Sequence, residues 1–185
     1  MQTKQLARSA LLIAAALALS YLERFIPWNL VVPLPGVKLG LANIVTMFAL
    51  FFLPQRQAFL ILVVRCVLGS VFGGGLSGLA MSLTGGVLAF WTMAAAKRIS
   101  LFSVYGVSIL GAAAHNLGQI LAASAMMGSV YTFFYLPFLL LTALATGMIT
   151  GTISSFTFRA LRKIPQYASA ENCGADNQQN RRKNL

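Results

Sequence analysis

The side chains able to do chemistry are few and lie far apart along the chain. Arg65 stands near the middle of an apolar run, where its charge costs about 2.5–3.5 kcal/mol on insertion scales unless something pairs with it. Two partners fit. One is structural, Glu23 or exposed carbonyls; the other is an anionic ligand for which Arg65 is the counter-charge. His115, Asn116 and Gln119 form a second group in another apolar run. Their i, i+4 spacing puts His115 and Gln119 on one helical face, with Asn116 one residue round from it. Such a group serves either interhelical hydrogen bonding or the polar end of a solute pocket. Lys38 and Asn43 complete the candidate substrate-binding set, although Lys38 alone reads equally as a cation snorkelling to an interface.

What is missing narrows the chemistry further. Of the 3 acidic residues, Glu23 alone lies in the apolar body; Glu171 and Asp176 sit near the carboxyl end. No carboxylate pair is available for acid–base work or to hold Mg²⁺ on a diphosphate, and no Ser-His-Asp set or metal cluster can be assembled. No catalytic residue, metal ligand or bound cofactor is therefore expected. Gly73-Gly74-Gly75-Leu76-Ser77-Gly78 fits G-x-G-x-x-G, but that pattern signals dinucleotide binding only after a strand in a βαβ unit; between apolar spans it reads as a tight connection. Cys66 and Cys173 lie in unlike surroundings and suggest no bridge.

The elements that must position these residues are helices in lipid. The chain has 185 residues, 58% of them hydrophobic, and carries 14 Lys or Arg against 3 Asp or Glu, far fewer charges than the roughly one quarter usual in soluble domains. Apolar runs predict six transmembrane spans, at about 9–26, 37–53, 58–72, 76–96, 102–127 and 133–158. Pro27, Pro33, Pro35 and Gly36, then Pro54, the Gly73–Gly75 run, Lys97-Arg98 and Gly128-Ser129 punctuate them. With the amino terminus inside, Lys4, Arg8, Arg56, Lys97, Arg98, Arg159, Arg162 and Lys163 fall on the inner side and Lys38 on the outer, so both termini are expected in the cytoplasm. The chain divides into an amino-terminal stretch 1–8, a helical domain 9–163 and a polar tail 164–185 with too little apolar content to fold. Two alternatives stand beside this. Ala16-Leu17-Ala18 mimics a signal-peptidase site, and the short second and third spans suit re-entrant segments. The net charge of +11 lies mostly at span ends, which excludes a basic nucleic-acid face.

Small residues add a packing signal. Ala10, Ala14 and Ala18 recur every four residues on the first span, and Gly147 with Gly151 makes a GxxxG on the last. Such stripes let helix backbones approach closely, within the bundle or toward another subunit.

The segments Pro35-Gly36-Val37-Lys38-Leu39-Gly40-Leu41-Ala42-Asn43, Arg65-Cys66-Val67-Leu68-Gly69-Ser70, Ser82-Leu83-Thr84-Gly85-Gly86 and Ala114-His115-Asn116-Leu117-Gly118-Gln119 together resemble the bacterial Gx transporter family, also called heptaprenyl diphosphate synthase component I. The resemblance covers about residues 10–158. That family is similar to the substrate-binding S components of energy-coupling-factor vitamin transporters. The resemblance implies an all-α six-helix membrane bundle in the bacterial cytoplasmic membrane, a small-molecule pocket opening outward, and an Ala10-Ala14-Ala18 face meeting a transmembrane coupling subunit, with ATP used only by partner ATPases. The expected function is thus a substrate-binding membrane subunit of a small-solute, vitamin or cofactor-precursor uptake system. The other name implies a non-catalytic membrane accessory subunit of heptaprenyl diphosphate synthase, since the chain lacks the aspartates of the familiar prenyl-elongating route.

Overall fold

The computed structural model describes residues 2–25, 40–99 and 101–162, and among these the secondary structure is helical without a strand. Helix α1, Gln2–Leu22, runs into a 3-10 turn at Glu23–Phe25. Helix α2, Asn43–Phe52, is followed by α3, Gln55–Gly69. A π turn at Ser70–Gly74 carries α3 to the start of α4, Gly75–Arg98. Helix α5 is Val104–Met127, and a 3-10 turn at Val130–Tyr135 leads into α6, Leu136–Arg162.

The breaks have local causes. Pro54 precedes α3 and lacks the N–H that would continue α2. Ser103 caps α5, its hydroxyl accepting from the Gly106 N–H at 3.3 Å. At the other end Gly128 adopts φ +60°, the left-handed turn that ends a helix without a Cβ penalty. Gly75, at φ +63°, makes the corner between the π turn and α4, which is the tight connection expected of the glycine run.

Six helices stand where six spans are expected, but they are not six equivalent spans. Four segments are long and apolar enough to cross a membrane: Gln5–Leu22, Gln55–Phe72, Gly75–Arg98 and Val130–Ala160. Helix α2, with 10 residues, is about 15 Å long; the expected start of its span, and Lys38 with it, lie outside the described residues. Helix α5 has the length, with 24 residues, but its polar group lowers its hydropathy. It lies between α4 and α6, so protein rather than lipid surrounds that polar face. Helix α1 begins at Gln2, earlier than the apolar run, because the basic first turns of Lys4 and Arg8 continue the helix.

Glycines set the closest helix contacts. A Cβ on Gly118 of α5 would fall 2.6 Å from the Gly85 Cα of α4, and one on Gly147 of α6 would fall 2.6 Å from the Ile109 Cα of α5. Gly151 likewise faces Tyr105, so the GxxxG of α6 serves packing within the bundle. Beside it Ser108 and Thr150 share a buried hydrogen bond of 2.5 Å. The apolar core fills the end of the bundle near Pro54, where Leu50, Ile61, Leu62, Phe90, Met93 and Val107 are buried and Phe158 packs its ring 5.0 Å from Phe51 and 5.1 Å from Phe52. Lys97 closes that end, donating to the Leu50 carbonyl at 2.9 Å with its ammonium 4.7 Å from the centre of the Phe51 ring.

Candidate binding site

Four of the expected site residues form two pairs, Asn43 with Arg65 and His115 with Gln119, and Gly40 lies against one member of each. Asn43 is the first residue of α2, and its Oδ1 accepts from Arg65 Nη2 of α3 at 3.1 Å. Gly40, at φ +81°, lies where a Cβ would come within 3.0 Å of Asn43 Nδ2 and 2.9 Å of His115 Cδ2. On the far side of the imidazole, a Cβ on Gly85 would come within 2.9 Å of His115 Nδ1. The ring is therefore held edgewise between the backbones of Gly40 and Gly85, a slot that exists because neither position carries a side chain. One turn along α5, the Gln119 amide nitrogen lies 2.9 Å from His115 Nε2, as the i, i+4 spacing predicts. With Gln119 donating, Nε2 is the acceptor and a neutral ring carries its proton on Nδ1.

Burial makes this cluster costly to leave unsatisfied. Arg65 is 7% exposed, and Gln119 is fully enclosed. Among the described residues Arg65 makes no ion pair. Its Nε has no hydrogen-bond partner there, and neither has Asn43 Nδ2. A guanidinium offers five donors, so one bond to a neutral amide leaves the charge uncompensated. The structural pairing of Arg65 with Glu23 is not found. Glu23 is buried at the end of α1, and its Oε1 accepts the Leu41 N–H; that bond ties α1 to the turn leading into α2, beside the cluster rather than against the guanidinium.

Asn116 goes elsewhere. Its Nδ2 donates to the Leu139 carbonyl at 2.6 Å, which fastens α5 to the first turns of α6, because one residue's step round the helix turns it from α4 toward α6. It is an interhelical strut, though its Oδ1 lacks a partner among the described residues. Ala10, Ala14 and Ala18 are exposed, while Ala16 is buried on the opposite face of α1, so the alanine stripe does not pack within the bundle. Gly40, Gly85 and Gly86 are site neighbours that a search for reactive side chains passes over. A Cβ on Gly86 would lie 3.7 Å from Arg65 Nη2, and the only sign of this in the sequence is the Gly85-Gly86 pair itself. Among the described residues no three of His, Cys, Asp and Glu converge as metal ligands would.

Among the described residues, fold and site define a helical protein of membrane type, with four segments long and apolar enough to cross a bilayer, that gathers a buried arginine, a histidine and amides. A family description matches residues 12–157, from α1 to α6. The chain belongs to the family called heptaprenyl diphosphate synthase component I. That match takes in Asn43, Arg65, His115 and Gln119 and stops before the polar tail. No curated protein and no solved structure matches the chain.

Proposed function

We propose that the chain is a membrane-embedded binding subunit for a small anionic solute, acting in an uptake system of the S-component kind with a coupling subunit and ATPases as partners, in a bacterial cytoplasmic membrane. The observation that carries this reading is Arg65, buried, without a carboxylate partner, and held toward α2 by Asn43. Removing a partner from a buried charge is destabilising, so a charge built without one is accounted for when a ligand supplies the anion.

Depth supports the same reading. Asn43 and Arg65 each lie nine or ten residues from the Pro54 turn, about 14–15 Å along their helices, half of a hydrocarbon core of about 30 Å. Transporters commonly bind substrate at that depth, where a half-length helix begins and its positive end faces the anion. In this reading all six helices belong to the membrane domain and both termini are cytoplasmic. Covalent chemistry is not assigned to this chain, because the body of the bundle has one carboxylate, Glu23.

The family's name favours a second reading, a non-catalytic membrane subunit of heptaprenyl diphosphate synthase. A first component implies at least one other, and the dearth of aspartates places any prenyl elongation on that partner. The experiment that separates the readings is co-purification from the native membrane in mild detergent, followed by native mass spectrometry. Recovery with an ATPase and a coupling protein supports uptake; recovery with an aspartate-rich prenyltransferase supports the second reading and overturns the first. In either case Arg65→Ala is expected to weaken an anionic ligand by about ten- to a hundredfold, the worth of a charged hydrogen bond, with folded yield preserved.

A further inference from the structure

Between the end of α1 and the end of α3 lies a cleft of about 390 Å³ lined by Leu17, Ala18, Ser20, Tyr21, Gly69 and Phe72. Its position follows from the α3 register. Ala58, Ile61, Leu62 and Arg65 form the buried stripe of that helix, and Gly69, four residues past Arg65, continues it at a rise of about 6 Å. Gly69 leaves room between the helices, since a Cβ there would meet Leu17 Cδ2 at 3.8 Å. At the mouth Tyr21 and Phe72 are 58% and 67% exposed, on the flank of the bundle that lipid would surround.

We infer that the ligand anchored at Arg65 is a single-chain anionic amphiphile, whose apolar chain leaves the bundle sideways through the cleft between α1 and α3. This rests on the reading of Arg65 as an anion site and adds the class of ligand. The two halves of such a molecule find opposite surroundings one helical turn apart. Inward, a guanidinium with an unpartnered Nε and an amide with an unpartnered Nδ2 suit a phosphate or carboxylate. Outward, the walls are mostly carbon, with Ser20 and Tyr21 the residues that carry hydroxyls, so an apolar chain suits them better than a compact polar solute. An alkyl chain loses no hydrophobic stabilisation there, because its far end can stay among lipid tails.

The test uses the full chain in non-ionic detergent, with dodecyl phosphate and butyl phosphate as probes and native mass spectrometry to read bound fraction. Dodecyl phosphate is expected to bind at least about tenfold more tightly than butyl phosphate, the gain from burying only about two of its eight further methylenes. Arg65→Gln should weaken both by about ten- to a hundredfold. Gly69→Phe should weaken dodecyl phosphate alone, and Ala18→Trp, at an exposed wall position that folding does not depend on, should do the same. If Ala18→Trp leaves dodecyl phosphate binding intact, or if both probes bind the wild type equally and through Arg65, the amphiphile is overturned and the anion site stands. If neither probe's binding depends on Arg65, the anion site itself falls. Farnesyl phosphate, of matched chain length, identifies the source: preference for it over dodecyl phosphate supports an isoprenoid ligand, and the reverse supports a straight-chain lipid.

Discussion

Gly118 and Gly78 differ only in what surrounds them, and that difference is measurable. A Cβ at Gly118 would strike the Gly85 backbone, whereas one at Gly78 meets nothing within 4 Å. Gly118→Ala should therefore push α4 from α5 and lower stability by about 1–3 kcal/mol, the usual cost of overpacking. Gly78→Ala, inside α4, should raise it by about 0.5–1 kcal/mol through helix propensity. Thermal unfolding of both variants in one detergent checks the pair, and equal effects would refute the glycine contact. Because Gly85 also borders His115, Gly118→Ala should disturb ligand binding as well. The reactive types and the His115–Gln119 spacing were legible in the sequence. The Gly40 and Gly85 slot was not, since an absent side chain carries no chemical signature until its neighbour is known.

At the scale of elements, α2 is the piece whose placement matters most, because a short helix carries Asn43 to Arg65 and has little surface with which to hold itself. Lys97 restrains its end by bonding the Leu50 carbonyl, where the helix leaves acceptors unfilled and a cation is favoured. Lys97→Met should cost about 1–2 kcal/mol and weaken anion binding by loosening α2, whereas exposed Arg98→Ala should change neither. Unfolding and ligand titration of the two variants decide this; an unchanged Lys97→Met would leave α2 held by its core contacts alone. The sequence placed the breaks at Pro54, Arg98 and Gly128 within a few residues, because proline, glycine and charge act locally. By length and apolar content alone four segments qualify as spans, and α5 differs from them in carrying its polar residues enclosed between α4 and α6.

For the whole molecule, the cation asymmetry predicts orientation. Single cysteines near Arg56 and Lys97, in a background lacking Cys66 and Cys173, should react only with reagent reaching the cytoplasmic face, and one near Gly128 only from outside. Labelling near Lys97 from outside would reverse the topology and put the entrance on the other side. The exposed stripe Ala10, Ala14 and Ala18 belongs to the same scale. Ala14→Leu should leave the isolated protein as stable as the wild type and reduce recovery of a coupling subunit, because added volume separates two backbones that small residues allow to touch. Undiminished recovery would remove the stripe from the interface.

Composition and apolar periodicity by themselves determined the helical class and the places where helices end, and the scarcity of carboxylates excluded the commoner catalytic sets; these are properties of neighbouring residues and of totals. Whether Arg65 meets Glu23 or Asn43, whether Asn116 faces the histidine's side or α6, and whether the alanines point in or out were decided by the tertiary structure alone. Each depends on which helix lies opposite, and side chains twenty to fifty residues apart meet only when whole helices pack at a particular rotation and depth.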